Sequence, residues 1–252
     1  MTITIDATTG SHLGDRAEQQ DRVAIVPSKI APGTVLAVLA DGAGGYTGGA
    51  AAAEQVVATA TNVFARFTPA TDPVEQLLAE IVQEAHTVIK LNRVLTEEEP
   101  HSTFVALVLQ PNRADWAHVG DSRLYHFRDA TLQSRTADHS IAEQMIREGK
   151  LTEATRHSFR NRNILLQALG GPDMPAPSFG GTRPLRPGDT FLMCSDGLWD
   201  YFSDVELGQA LSALAPRKAA EMLIRTVRVR AKGRGDNASV VIVKLTETAV
   251  VA

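Results

Sequence analysis

Short runs of apolar and β-branched residues constrain the fold of this chain more than any other feature of its sequence. Four of them, each five to seven residues long, stand out at positions 34–40, 103–109, 190–194 and 239–245. This length and composition are typical of buried β-strands rather than of helices. Weaker runs predict three more strands, at 22–26, 115–119 and 123–127.

Helices are predicted between these strands. Asp72, Pro73 and Glu75 form a helix start signal, and apolar residues then recur at helical spacing as far as Ile89. The alanine-rich segment 48–67 is also predicted to be helical. Three further starts are predicted from two Ser/Glu capping boxes and one proline, at Ser140 with Glu143, Ser203 with Glu206, and Pro216.

The order of these elements predicts the fold class. Strands occur in groups instead of alternating with helices, which disfavours a doubly wound parallel sheet. We predict an α+β fold of antiparallel sheets with the helices outside them. No linker or repeat divides residues 1–252, so a single domain is expected. The Pro- and Gly-rich stretch 170–188 is interpreted as an ordered connection within it.

Composition excludes several classes of protein. The net charge of −4 argues weakly against a general nucleic-acid binder, and the single cysteine, Cys194, excludes a disulfide framework and any multi-thiolate metal site. No apolar run is long enough to span a membrane, and the first ten residues lack the pattern of a signal peptide. A cytoplasmic monomer that binds neither membrane nor nucleic acid is expected.

Aspartates lie at the edges of five predicted strands. They are Asp21, Asp41, Asp121, Asp196 and Asp236. Each alone is explained by ordinary turn chemistry, because four of the five have a glycine neighbour. Together they could converge at one end of a sandwich, where repulsion would require cations to keep them ionised.

An all-oxygen set without histidine or cysteine suits Mg²⁺ or Mn²⁺. Two such ions can share a bridging hydroxide and bind a phosphoryl group. The carbonyl of Gly42 could serve as a further ligand, because glycine allows the backbone to approach an ion closely. Arg16, five residues before Asp21, has the guanidinium geometry that matches two phosphate oxygens, although a surface arginine is an equally good interpretation.

These residues lie in seven stretches that resemble, in order, the metal-dependent serine/threonine protein phosphatases of type 2C, in their compact bacterial form. The resemblance covers about residues 14–245. The stretches are GDRAEQQDR (14–22), VLADGAGG (38–45), STFVALVL (102–109), HVGDSRLY (118–125), ADHS (137–140), GDTFLMCSDGLWD (188–200) and GDNASVVIV (235–243).

The resemblance implies a four-layer αββα sandwich with a metal cleft at one edge. It assigns the two-metal site to Asp21, Asp41, the Gly42 carbonyl, Asp196 and Asp236, and the phosphate-binding role to Arg16. Asp121 would hold a third, weaker ion together with Asp196. The stretch 147–163 would be a mobile flap, whose arginines Arg156, Arg160 and Arg162 we expect to govern the choice of protein substrate.

Two positions depart from the pattern of that family. Gln19 replaces the usual asparagine, and its longer amide is expected to support the same turn. Ala43 stands where some members carry a histidine that is thought to protonate the leaving oxygen. An alanine cannot donate a proton, so any acid must be a metal-bound water or another side chain.

The resulting functional hypothesis is one-step hydrolysis of phosphoserine and phosphothreonine in proteins. Two to three Mn²⁺ or Mg²⁺ ions would be bound, and a hydroxide bridging two of them would attack phosphorus. The substrates would be those of a serine/threonine kinase. One alternative is a catalytically silent relative that binds phosphoproteins. A second is a metal-dependent nuclease, with the basic segment 217–234 holding the nucleic-acid backbone. The ordinary explanation of that segment is the solvated face of a helix, and the more specific one is a docking surface for an acidic partner.

Overall fold

The computed structural model describes residues 3–44, 48–95 and 99–247. Within these residues the strands form two antiparallel sheets, and their bounds confirm the seven predicted strands to within three residues. The strands are β1 (Ile3–His12), β2 (Asp21–Pro27), β3 (Val35–Ala43), β4 (His101–Ser102), β5 (Phe104–Gln110), β6 (Arg113–Val119), β7 (Arg123–Arg128), β8 (Thr131–Arg135), β9 (Ser178–Thr182), β10 (Asp189–Cys194) and β11 (Ala238–Glu247).

The first sheet has the strand order β1-β11-β10-β7-β8, and the second has the order β2-β3-β5-β6-β9 with β4 beside β3. Every strand pair is antiparallel. The sheets face each other across an apolar layer that includes Leu39 and Leu107 from one sheet and Phe191 and Val241 from the other. This layer fixes the distance between the sheets, because interiors are close-packed.

The four longest helices cover the outer faces of the two sheets. The helices of the described residues are α1 (Gly48–Phe64), α2 (Val74–Leu95), α3 (Ile141–Arg147), α4 (Glu153–Arg156), α5 (Asp196–Trp199), α6 (Asp204–Ala213) and α7 (Pro216–Ala231). Helices α1 and α2 share a core with β3 and β5, while α6 and α7 share one with β10 and β11. The result is the predicted α+β fold, with its layers in the order αββα. None of the helices in the described ranges is long and apolar enough to cross a bilayer.

Local signals placed the helix starts with small errors. Ser203 and Glu206 form a complete capping box at α6, and Pro216 is the first residue of α7. At α2 the helix begins at Val74, because the Asp72 carboxylate accepts from the Thr68 amide and closes the preceding turn instead. Ser140 caps α3, but the side chain of Glu143 turns away to an ion pair with Arg156.

Candidate metal centre

Asp21 and Asp41 are cross-strand neighbours at the same end of the second sheet. The register of β2 against β3 pairs them directly. The Asp41 amide donates to Thr103 Oγ1 at 2.9 Å, and its carbonyl accepts from the Thr103 amide at 2.8 Å, which fixes the end of β3 against the start of β5. Gly42 follows, and a Cβ there would lie 1.9 Å from the Gly49 carbonyl oxygen, so only glycine fits beneath the first turn of α1.

Asp196 and Asp236 come from the other sheet. Asp196 begins α5 directly after β10, and Asp236 lies two residues before β11. The Asp236 carboxylate accepts from the Asn237 amide through Oδ1 and from Arg16 through Oδ2, at 2.8 and 2.5 Å. Because β10 and β11 are neighbours in the first sheet, both carboxylates arrive at the end that faces Asp41.

Asp121 occupies the tight turn between β6 and β7. Gly120 in this turn has φ +99°, and a Cβ at that position would lie 2.8 Å from the Thr103 side chain, so the turn requires glycine. Trp199 on α5 donates its indole N–H to the Asp121 carbonyl at 2.9 Å. That contact holds the Asp121 turn against the helix that carries Asp196.

These elements enclose a cleft of about 360 Å³. Four of the five predicted aspartates line it together with Arg16 and Gly42: Asp41, Asp121, Asp196 and Asp236. The fifth, Asp21, is buried beneath this lining, where its Oδ2 accepts from Ser195 Oγ at 2.8 Å. The structure therefore brings the predicted residues to one end of the sandwich and places Asp21 one layer deeper than the rest.

The electrostatics of the cleft are those of crowded carboxylates. Burial, and then repulsion from Asp21, Asp196 and Asp121, raises the pKa of Asp41 well above its ordinary value. Burial followed by the charges of Asp121 and Asp236 does the same to the pKa of Asp196. The mutual repulsion shows that the carboxylates share one electrostatic environment even though they arrive from four strand ends and a turn.

The donor set fits hard divalent cations. All the candidate ligands are oxygens, and the Asp21 Oδ1 atom is buried without a hydrogen-bond partner, which an ion or its hydration water would supply. No three His, Cys, Asp or Glu side chains in residues 3–44, 48–95 and 99–247 are already gathered into a set that could hold an ion unaided. Carbonyl oxygens and water must therefore complete the coordination, as is usual for Mg²⁺.

The turn before Asp21 is supported as predicted. Gln19 Oε1 accepts from the Asp21 amide at 2.9 Å, so the longer amide closes the turn. Asn237 ties this segment to the first sheet, because its side chain accepts from the Gln20 amide and donates to the Leu13 and Glu18 carbonyls. Sequence reasoning missed Asn237, although it stands beside Asp236 in a quoted motif.

The predicted flap, residues 147–163, consists of α4 and turns, and its last residue, Asn163, lines the cleft. The prediction for its arginines needs correction. Arg156 is buried and paired with Asp138, Glu143 and Glu153, so it holds the segment in place instead of facing a substrate. Arg162 pairs with Asp200, and Arg160 is exposed.

Two histidines near this end of the sandwich differ in their relation to the cleft. His139 does not line the cleft; it contacts Ser178 and the Gly120 amide. His101 does line the cleft, from the strand position opposite Ala43. Only the pairing of β4 with β3 could have revealed it, and a two-residue strand leaves no sequence signal.

Comparison with known proteins agrees with this geometry. The family model described as Protein phosphatase 2C matches residues 9–233. The serine/threonine protein phosphatase PstP of Mycobacterium tuberculosis is 32% identical over 83% of this chain, which spans only 40% of the length of that relative. The serine/threonine phosphatase Stp of Listeria monocytogenes is 28% identical over 83% of this chain and 84% of its own length.

Solved structures show the same architecture. A crystal structure of the M. tuberculosis PstP/Ppp phosphatase has a TM-score of 0.83 and 29% identity, covering 96% of this chain and 99% of that one. The PstP catalytic domain in complex with two manganese ions has a TM-score of 0.82 and 28% identity, covering 98% of this chain and all of that one. The fold, the cleft and the sequence similarity together place this chain in a class of phosphatases. The chain belongs to the protein phosphatase 2C family.

Proposed function

We propose that this chain is a metal-dependent phosphatase that hydrolyses phosphoserine and phosphothreonine esters in proteins. The observation that carries the proposal is the cleft itself. Four carboxylates and one guanidinium line it, and burial followed by repulsion from neighbouring carboxylates raises the pKa values of Asp41 and Asp196. Such a site requires cations to keep its carboxylates ionised, and cations with an arginine are what a phosphoryl group needs.

The ligands proposed for two or three Mn²⁺ or Mg²⁺ ions come from both sheets. Asp41, Asp196, Asp236 and the Gly42 carbonyl would hold two core ions, and Asp121 with Asp196 would hold a weaker third. Asp21 would act from beneath, beside Asp41. When bound, the ions activate water at neutral pH and neutralise charge on the phosphoryl oxygens.

Arg16 is proposed to bind the phosphoryl group. In the structure it pairs with Asp236 and remains 61% exposed, so it can turn towards a substrate without leaving a buried cavity. Its planar fork can donate two parallel hydrogen bonds to phosphoryl oxygens and stabilise the charge that is spread over them in the transition state. No phosphoenzyme is proposed, because water is the nucleophile.

The same observations weigh against the two alternatives. A silent relative would be expected to have lost carboxylates, yet Asp41, Asp121, Asp196 and Asp236 are all gathered at the cleft. A nuclease would need a basic groove leading to the ions. Arg16 is the one arginine or lysine among the described cleft residues, while Arg228 and Arg230 of the basic segment pair with Asp15 and Glu206.

The test is hydrolysis of p-nitrophenyl phosphate and of a phosphoserine peptide, with Mn²⁺, with Mg²⁺ and with EDTA. We expect turnover of both substrates that depends on added metal and disappears with EDTA. Purified Asp196→Asn protein serves as the control for contaminating phosphatases. Turnover that survives EDTA, or that is unchanged in this variant, would contradict the metal-dependent mechanism, and a wild type inactive with both ions would favour the silent relative.

A further inference from the structure

Hydrolysis of a phosphoserine ester leaves a proton to be supplied. When the bond between phosphorus and the seryl oxygen breaks, the oxygen takes the electron pair and becomes an alkoxide unless an acid protonates it. A positioned acid typically accelerates such a step by roughly 10²–10⁴-fold. Ala43 has no proton to give, so the donor must be sought elsewhere in the cleft.

Few of the described residues that line the cleft can release a proton near neutral pH. The aspartates must be ionised in order to hold cations. Arg16 keeps its proton at any physiological pH. The Ser102 hydroxyl donates to the carbonyls of Asp41 and Thr103, and the Thr103 hydroxyl is hydrogen-bonded to that of Ser122. The remaining side chain of a type that serves as a general acid is the imidazole of His101.

The orientation of this imidazole is set by one hydrogen bond. His101 Nδ1 lies 2.6 Å from the Glu99 carbonyl oxygen. A carbonyl can only accept, so Nδ1 carries a hydrogen in either charge state. The opposite atom, Nε2, is therefore the one that gains or loses a proton, and it has no hydrogen-bond partner in the described part of the chain. His101 stands opposite Ala43 in the pairing of β4 with β3, at the edge of the cleft.

The side chains of His118 and His139 are held by hydrogen bonds within the protein. His118 Nε2 bonds the Ala137 carbonyl, and its ring stacks on His139 with the centroids 4.5 Å apart. His139 is held by Ser178, and burial together with the neighbouring His118 lowers its pKa to about 4. An imidazole with that pKa is neutral at pH 7 and is a poor reservoir of protons.

We propose that His101 is the catalytic acid that protonates the leaving seryl or threonyl oxygen, a role that rests on the phosphatase activity proposed above. Water adds to phosphorus as the ester P–O bond breaks, and the electron pair of that bond passes to the alcohol oxygen. His101 Nε2 gives its proton to this oxygen and becomes neutral. The proton that the attacking water loses restores the imidazolium, so phosphomonoester and water become alcohol and hydrogen phosphate.

The test compares two leaving groups in His101→Gln and His101→Ala. Nitrophenolate departs without a proton, whereas a seryl oxygen needs one. We expect kcat on a phosphoserine peptide to fall roughly 30- to 100-fold, and kcat on p-nitrophenyl phosphate to change less than 3-fold. Calorimetric Mn²⁺ titration should give wild-type affinity. The two variants differ in volume and polarity, so agreement between them excludes a packing effect, and circular dichroism checks folding.

A second readout does not depend on turnover. In Mg²⁺-loaded protein labelled with ¹⁵N-histidine, saturating orthophosphate should shift the His101 Nε2 resonance, which is identified by its absence from His101→Gln. Three outcomes would each overturn the role of His101 as the catalytic acid. They are equal rate losses on the two substrates, no rate loss on the phosphoserine peptide, and an Nε2 resonance that does not shift with orthophosphate. A wild type that hydrolyses neither substrate would instead overturn the proposed function, and this inference with it.

Discussion

Single residues of the cleft combine a proposed functional role with a cost in stability. Asp41 and Asp196 are buried among carboxylates of the same charge, and burial followed by this repulsion raises their pKa values. A protein selected for stability alone would place neutral groups there. The cost is consistent with the general finding that active sites trade stability for activity.

Asp41→Asn separates these two effects. The amide keeps the shape of the side chain but removes a charge that repels its neighbours, so the metal-free protein should melt roughly 2–4 °C higher for each kcal/mol of repulsion relieved. Turnover of p-nitrophenyl phosphate should fall at least ~10²-fold, because the amide is a poor ligand for a hard cation. Scanning calorimetry in EDTA and kinetics in saturating Mn²⁺ measure both. Near-normal turnover would remove Asp41 from the metal site.

Arg16→Ala should weaken phosphate binding and leave metal binding intact. A charged hydrogen bond contributes ~1.5–3 kcal/mol, so kcat/KM should fall roughly 10- to 100-fold. Arg16→Lys is the matched control, since it keeps the charge and loses the fork, and should recover only part of the loss. Calorimetry with Mn²⁺ checks the ion sites. An unchanged kcat/KM in folded Arg16→Ala would make this arginine an ordinary surface residue.

At the scale of elements, strands with a buried apolar run could be predicted from the sequence, whereas three of the four described edge strands could not. The missed strands β1, β8 and β9 all lie at sheet edges, and β4 is only two residues long. In β9 the two glycines concealed the strand. They are there for packing, because a Cβ on Gly180 would lie 2.4 Å from the Trp116 indole nitrogen. Such a contact depends on a residue far away in sequence.

The features of the candidate site also divide into those that the sequence could predict and those that it could not. The aspartates could be predicted because each follows or precedes a recognisable strand. The depth of Asp21, the burial of Arg156 and the approach of His101 could not, because each depends on how the sheets and the flap pack together. Local sequence gives the strand ends, while only the tertiary structure gives the layer in which each side chain lies.

The flap is held to the sandwich by Arg156. It pairs with Asp138, which is itself paired with Arg123 on β7, and Arg123 lies 3.5 Å above the Trp199 ring. Removing one partner from a buried ion network costs ~3–5 kcal/mol. Arg156→Met should therefore lower the melting temperature by roughly 10 °C and increase hydrogen exchange across residues 147–163.

Arg160→Met is the matched control on the same segment. Because Arg160 is exposed, its loss should leave stability nearly unchanged and should alter kcat/KM on phosphopeptides more than on p-nitrophenyl phosphate. Wild-type hydrogen exchange in Arg156→Met would show that the ion network does not hold the flap.

At the scale of the whole molecule, the buried carboxylates make stability depend on pH. Burial raises the pKa of Asp21 to about 6, and burial with the charge of Asp138 raises that of Asp121 to about 7. In the unfolded chain both titrate near pH ~4. The folded state therefore binds more protons, and its extra stability is complete below pH ~4 and is lost as the pH rises through 6 and 7.

Metal-free protein should accordingly melt roughly 5 °C or more higher at pH 5 than at pH 8. Saturating Mn²⁺ should reverse the trend, because the ions bind the ionised carboxylates and stabilise the folded state more as the pH rises. Differential scanning calorimetry across this range, with EDTA or with Mn²⁺, measures both curves. A metal-free protein that gains stability from pH 5 to pH 8 would contradict the crowding of these carboxylates.

Ser195 joins the two sheets directly beneath the cleft. Its hydroxyl donates to Asp21 on one sheet and accepts from the Ser239 amide on the other, at 2.8 and 3.0 Å. The two halves of the proposed ion site thus lie on separate sheets, and the distance between those sheets is set by side chains such as Phe191 in the apolar layer. Phe191→Leu should then weaken Mn²⁺ affinity measured by calorimetry without touching any ligand. The geometry of the proposed ion site is in that sense a property of the hydrophobic interior of this chain, and a substitution in the core would alter the affinity for metal from a distance.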